Sequence, residues 1–316
     1  MNRNRSIDAV RAIACAFVLF VHCPFPGTFG IIVSALARFA VPFYLMVSGY
    51  YACRETDGAM LAAAKKQLRS TAKLTLTGTI FYAVCNTLRD TLSGGHPLAW
   101  FFSLLNATAL RRLLIFNRAI FLSSVMYYLF MLLYVYILYI LIIRIRAMRF
   151  AYAAILPLLS TGVVLNEFIV APWYYTGNWL LTGLPFFLLG HYIAAKKPRI
   201  AHPEWFILPG ALLLCLETRL NAEIYVSLGS LILSVSILLT CLAHPKARVP
   251  ESLVHFGRSG SVVLFIIHCA VRDFVKLALP SGFPLYAWAL PLMVLALSAA
   301  LSAAFRFASA HPLKSH

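Results

Sequence analysis

Long apolar stretches alternate with short polar ones along the chain. They fall at about 7–26, 31–53, 71–92, 119–143, 150–166, 178–195, 205–219, 224–243, 259–277 and 283–305. A bilayer core of about 30 Å takes about 20 apolar residues in a helix. Backbone polar groups find no water there, so only helices and closed barrels cross. The pattern therefore predicts an all-α fold, a polytopic integral membrane bundle of about ten transmembrane helices. The segments 150–166 and 205–219 are short for a full crossing. One membrane domain is expected over residues 1–316, with an amphipathic outer loop at about 93–118. A helix in that loop is expected to open at Pro97.

Composition sharpens this reading. Of 316 residues, 61% are hydrophobic and only 12% charged, and the mean hydropathy is +0.83. A soluble domain of this size would have no surface left to show to water. The net charge of +17 would suit nucleic acid, but the cations lie scattered between apolar spans, so no nucleic-acid partner is expected. They read instead as topology signals. Arg3, Arg5, Arg54, Lys65, Lys66, Arg69, Lys73, Arg144, Arg146, Arg149, Lys196, Lys197, Arg199, Lys246, Arg248, Arg258, Arg306 and Lys314 fall on one side. Arg89, Arg111, Arg112, Arg118, Arg219, Arg272 and Lys276 fall on the other. Both termini are thus expected in the cytoplasm of a multi-pass protein of the cell membrane.

Seven cysteines contain no CxxC and no metal-like spacing, so neither a disulfide framework nor a metal is expected. The first apolar run lacks a small-residue cleavage site and reads as a retained helix.

Candidate chemistry begins in that first span. Arg11 and His22 are eleven residues apart, roughly three turns plus 20°, so they share a helix face about 16 Å apart along the axis. Arg11 would stand near the cytoplasmic side and His22 near the outer side. An intramembrane cation and an imidazole are costly in lipid and point to function, although Asp8, one turn from Arg11, offers a simple ion-pair explanation. Arg38 follows in the outer half of the next span, ahead of Pro42 and the small pair Ser48–Gly49. The connection Pro24–Thr28 is short, so the first two spans are antiparallel neighbours with His22 and Arg38 at similar depth. His268 is a further imidazole inside a span. Glu167 and Asp273 are the outer carboxylates nearest the spans, and either fits the task of orienting a histidine. Arg111, Arg112 and Arg118 lie in an outer loop without an acid, as an anchor to anionic headgroups or an anion- or glycan-facing lip. Trp173, Tyr174, Tyr175 and Trp179 read as an aromatic belt or a sugar platform.

Arg11 and His22, the run Ala37-Arg38-Phe-Ala-Val-Pro42-Phe-Tyr-Leu-Met-Val-Ser48-Gly49-Tyr50, Met126–Leu129, Phe186–Gly190 and Ser261–His268 together resemble the membrane acyltransferase-3 family over nearly the whole chain. Tyr127–Tyr128 depart from the Trp-Tyr or Trp-Phe that members often carry. The chain is also similar to the membrane part of serine-racemase-like resistance proteins, without their soluble racemase domain. The resemblance implies transfer of an acyl group, acetyl above all, from cytoplasmic acyl-CoA as cosubstrate. The acceptor would be a hydroxyl on an extracytoplasmic glycan or cell-surface molecule. No hydrolase-like domain is fused, so any second transfer step would fall to another protein.

On that reading His22 and Arg38 are the catalytic residues, His22 as base or acyl acceptor and Arg38 as stabiliser of developing negative charge or holder of the acceptor. Arg11 would hold the CoA phosphates. Ser48, His268, Glu167, Arg111 and Arg112 complete the substrate-binding set. The competing reading is a proton-coupled transporter or flippase that uses the same Arg and His as a path. Against it, the chain has no internal half-repeat. A membrane sensor or scaffold is a third reading, and it would need neither Arg11 nor His22.

Overall fold

The computed structural model describes residues 4–103, 106–119, 122–169, 171–221, 226–279 and 285–310. Arg3, Lys314 and the starts of the apolar segments expected at 224 and 283 lie outside them. The described elements are helical: α1 Arg5–His22, α2 Gly27–Leu36, α3 Ala40–Ala52, α4 Asp57–Leu92, α5 Ala99–Phe102, α6 Ala107–Phe116, α7 Met126–Arg144, α8 Met148–Glu167, α9 Trp173–Thr176, α10 Leu184–Lys196, α11 Ile207–Leu220, α12 Leu228–Ala243, α13 Glu251–His255, α14 Ser261–Ala278 and α15 Tyr286–Ala310. A 3₁₀ turn at Ala37–Phe39 joins α2 to α3, and another at Pro203–Phe206 precedes α11. π-helical turns at Trp179–Gly183 and Phe256–Gly260 lead into α10 and α14. Among the described residues, four helical stretches are long and apolar enough to cross a membrane: Gly27–Ala52, Met126–Arg144, Met148–Glu167 and Tyr286–Phe307.

Two sequence expectations change. The third apolar segment is the second half of a helix that starts fourteen residues earlier. Asp57–Leu92 runs 36 residues, about 54 Å. It is capped by Thr56, whose Oγ1 accepts from Ala59 N at 3.2 Å. The loop expected at about 93–118 is not one helix from Pro97. It forms the single turn Ala99–Phe102 and a separate helix Ala107–Phe116, because Asn106 Oδ1 accepts from Thr108 N at 2.8 Å and opens the second.

The chain folds as two compact units, residues 1–40 with 241–316, and residues 41–240. The second unit shows why this is a membrane protein. Along α4, Leu76, Ile80, Val84, Leu88 and Leu92 are exposed, while Thr71, Thr75, Tyr82 and Asn86 are buried. A helix bathed in water would be turned the other way. Here the polar side chains find partners inside: Thr75 Oγ1 donates to Thr71 O at 2.8 Å and Asn86 Nδ2 to Leu122 O at 2.9 Å. α3 and α10 cross where Gly49 abuts the Phe187 carbonyl and Gly190 abuts the Met46 carbonyl, contacts that leave no room for a side chain on either glycine.

The first unit is built on α1. Its N-terminus is tied to residues 241–251. Asn4 Nδ2 donates to Cys241 O at 2.7 Å, Arg5 N to Pro245 O at 3.0 Å and Ser6 Oγ to His244 O, and Arg5 pairs with Glu251. Further along, Gly257 in the π-helical turn lies directly on the Asp8 backbone, and Cys15 Sγ donates to Ser261 O at 3.1 Å. Contacts that advance together along both sequences mean that α1 and α14 run parallel. Their shared core with α15 is Cys15, Leu19, Cys23, Leu264, Val275, Leu290 and Val294. Ser302 Oγ on α15 donates to Gly260 O at 2.8 Å.

Candidate active site

The parallel pairing of α1 and α14 carries through to the end of α1, where two histidines meet. The rings of His22 and His268 have centroids 5.4 Å apart at 38°. His268 is 1% exposed, and its Nδ1 lies 3.1 Å from Leu264 O. A carbonyl only accepts, so Nδ1 carries the proton and Nε2 presents its lone pair. That Nε2 is buried without a hydrogen-bond partner among the described residues. One ring nitrogen each of His22 and His268 and Sγ of Cys269 lie within 4.8 Å of one another.

One turn beyond His268, Arg272 fixes the end of α1. Its Nη1 donates to the His22 carbonyl at 2.8 Å. Nε and Nη2 donate to Asp273 Oδ1 at 2.8 and 2.6 Å. Three donors of a single guanidinium fork therefore hold the carbonyl of His22 and the carboxylate of Asp273. Of the two carboxylates expected to orient a histidine, Asp273 accepts from Arg272, which in turn donates to the His22 backbone carbonyl. Glu167 is engaged in the second unit, where Oε1 accepts from Leu228 N at 3.3 Å at the start of α12.

Arg11 stands three turns back on α1, with Nη1 3.8 Å from Asp8 Oδ1. The ion pair anticipated from spacing is thus present. Arg38 occupies the 3₁₀ turn that packs on α1, where Phe39 meets Phe17 with centroids 5.9 Å apart. The turn has a cause in sequence: Pro42 offers no N–H to the carbonyl of Arg38, and its ring crowds that carbonyl. The first unit therefore holds Arg11, His22, Arg38 and His268, and the structure brings His22 and His268 together.

Ser48, Glu167, Arg111 and Arg112 lie in the second unit on α3, α8 and α6. Ser48 Oγ donates to Tyr44 O at 2.9 Å within its own helix. Arg111 is exposed. Arg112 lies over Tyr174 at 5.7 Å, and Arg118 lies 4.9 Å from Tyr174 and 5.5 Å from Trp173. Partial burial lowers the Arg118 guanidinium from its usual value, and neighbouring Arg112 pushes the same way. Asn117 ties this cluster together from a left-handed backbone, φ 49°. Its Nδ2 donates to Tyr127 O at 3.1 Å, and its Oδ1 accepts from Trp179 N at 2.8 Å. The aromatic faces are therefore held against guanidinium groups.

Three features of note were not among the expected site residues. Arg272 and Cys269 lie four and one residues after His268, and Arg272 shares its helix face. In the second unit, buried His191 Nδ1 lies 2.7 Å from Tyr152 Oη. A recess of about 490 Å³ on α4 is lined by Ala62, Lys65, Lys66, Arg69, Ser70 and Lys73, so cations that read as topology signals share one exposed face.

One family profile, described as an acyltransferase domain, matches residues 4–305. No curated protein and no solved structure gives a significant match.

Proposed function

This chain belongs to the acyltransferase-3 family, and from that premise we propose that it is a multi-pass O-acyltransferase of the plasma membrane. It moves an acyl group, acetyl in the simplest case, from cytoplasmic acyl-CoA to a hydroxyl of an extracytoplasmic glycan or other cell-surface molecule. Ten crossings with cytoplasmic termini complete the reading. The observation that supports it most is the rail formed by α1 and α14. Arg11 stands at one end, and at the other His22 faces His268 with its backbone pinned by Arg272.

The chemistry follows from the groups on that rail. Arg11 offers charge-assisted hydrogen bonds to the donor's phosphates, and the cationic recess on α4 suits the same anions. His22 takes the proton of the acceptor hydroxyl as its oxygen attacks the thioester carbonyl carbon. Arg38 balances the negative charge that builds on the carbonyl oxygen. The carbon–sulfur bond then breaks, and the departing thiolate recovers the proton from the imidazolium. His268, with Nδ1 committed to Leu264 O, keeps an acceptor nitrogen turned to this site. The guanidinium and aromatic lip of Arg112, Arg118, Trp173 and Tyr174 suits an acceptor that carries sugar rings or acidic groups.

The test is acyl-CoA turnover by the purified protein in lipid nanodiscs, read as release of free CoA thiol in the presence of a hydroxyl acceptor. His22→Ala should abolish turnover while its thermal unfolding stays as in wild type. Wild-type turnover in that variant would remove His22 from the mechanism.

A further inference from the structure

We propose that His22, His268 and Cys269 form a binding site for a thiophilic d¹⁰ cation such as Zn²⁺, and that the bound ion blocks acyl transfer. The three donors are the one cluster of this kind among the described residues, within 4.8 Å of one another. A tetrahedral zinc with bonds of about 2.1 Å to nitrogen and 2.3 Å to sulfur needs donors about 3.5 Å apart. At up to 4.8 Å the donors stand about 1 Å too far apart for that, a gap that side-chain rotation is expected to close. Two imidazoles and a thiolate suit zinc or cuprous ions and not hard cations such as magnesium or calcium.

Packing alone accounts for a buried thiol. It does not account for His268, whose Nε2 is buried with no hydrogen-bond partner among the described residues, an arrangement proteins seldom tolerate. Its Nδ1 is held by Leu264 O, which fixes the tautomer that presents Nε2 for coordination and supplies the outer hydrogen bond typical of a metal-ligating histidine. Coordination displaces the Cys269 thiol proton to solvent. The fourth position stays open to a water or to the acceptor.

The site was invisible in the cysteine spacing because its ligands come from α1 and α14, 246 residues apart. The binding claim does not rest on the acyltransferase reading; only the inhibition does. An ion that occupies both imidazole lone pairs leaves His22 unable to take a proton.

The experiment uses the full chain in nanodiscs, reduced and stripped of metal, titrated with Co²⁺ and then Zn²⁺. The expected result is one Co²⁺ per chain with a near-ultraviolet thiolate-to-cobalt band, lost as Zn²⁺ displaces it. Cys269→Ala should remove the band and weaken Zn²⁺ binding at least ~10-fold, while metal-free acyl transfer is kept. Cys269→Ser, nearly isosteric, serves if the alanine variant fails to fold. Cys15→Ala and Cys23→Ala should leave the band unchanged. Absence of the band in wild type, or an unchanged band in both Cys269 variants, overturns the site. Zn²⁺ should inhibit wild-type transfer over the range in which it binds and spare the Cys269 variants. Equal inhibition of both overturns the blocking role. Stoichiometric binding in a protein that transfers no acyl group, with or without metal, would sink the proposed function and leave the metal site standing.

Discussion

Arg272 offers the sharpest probe of the site, because it donates to the backbone carbonyl of His22. Arg272→Ala removes the 2.8 Å bond from Nη1 to the His22 carbonyl. A hydrogen bond from a charged donor contributes about 1.5–3 kcal/mol, so the end of α1 loses that much restraint. At about 1.4 kcal/mol per factor of ten, the expected fall in kcat is roughly 10- to 150-fold. The same bond counts toward stability. Arg272 and Asp273 are 23% and 27% exposed in their side chains, so water recovers only part of the lost pairing and unfolding shifts by a comparable amount, about 1.5–3 kcal/mol. Arg272→Lys keeps the charge but cannot span both the carbonyl and Asp273, and it should recover part of the rate. The assay varies the acyl-CoA concentration in nanodiscs. kcat should fall with the donor KM within about twofold, and millimolar guanidinium should restore part of the rate to the alanine variant. Wild-type kcat in Arg272→Ala would refute the reasoning. So would a loss that matches the drop in folded fraction and is not rescued by guanidinium.

Other expectations follow from the same geometry. A methyl at Gly257 would overlap the Asp8 carbonyl and lie 3.0 Å from Ala12 N. Gly257→Ala should therefore force α1 from the π-helical turn and cost about 1–3 kcal/mol in thermal unfolding. With a catalytic group displaced by ~1 Å, activity should drop about 100-fold. Gly58→Ala, whose added methyl meets nothing within 4 Å, should leave both unchanged or slightly improved. Asn117→Ala should lower thermal stability by about 2–4 kcal/mol, because alanine resists the left-handed backbone and Trp179 N loses its acceptor. Unfolding of that variant at the wild-type temperature would contradict the bridging role. Lys66→Glu with Arg69→Glu should raise the acyl-CoA KM at least ~10-fold and flatten its salt dependence. An unchanged KM would show that the recess on α4 does not meet the donor.

The apolar stretches were legible because a membrane helix writes itself into composition. A helix lies within each of the ten, and Arg11 and His22 share α1 as their spacing required. What local pattern missed has physical causes. The first half of α4 carries four cations on one face and no apolar run, so only its Thr56 cap marks where it begins. In the loop at about 93–118 Asn106 caps a new helix and outweighs Pro97 as a start signal. The consequence of Pro42 falls four residues earlier, in the 3₁₀ turn that holds Arg38. The contact of His22 with His268 and the bond from Arg272 to the His22 carbonyl join residues about 250 positions apart, and no periodicity encodes such a pairing. Arg272 nonetheless had one local sign, its place four residues after His268 on the same face.

The central claim is that acyl groups cross the bilayer along α1 by way of His22. Sided proteoliposomes test it most directly, with labelled acetyl-CoA supplied to the cytoplasmic face only and a hydroxyl acceptor sealed against the other. The account predicts label on the sealed acceptor with wild-type protein and none with His22→Ala. Label confined to the donor's side, or undiminished crossing in the variant, would contradict it.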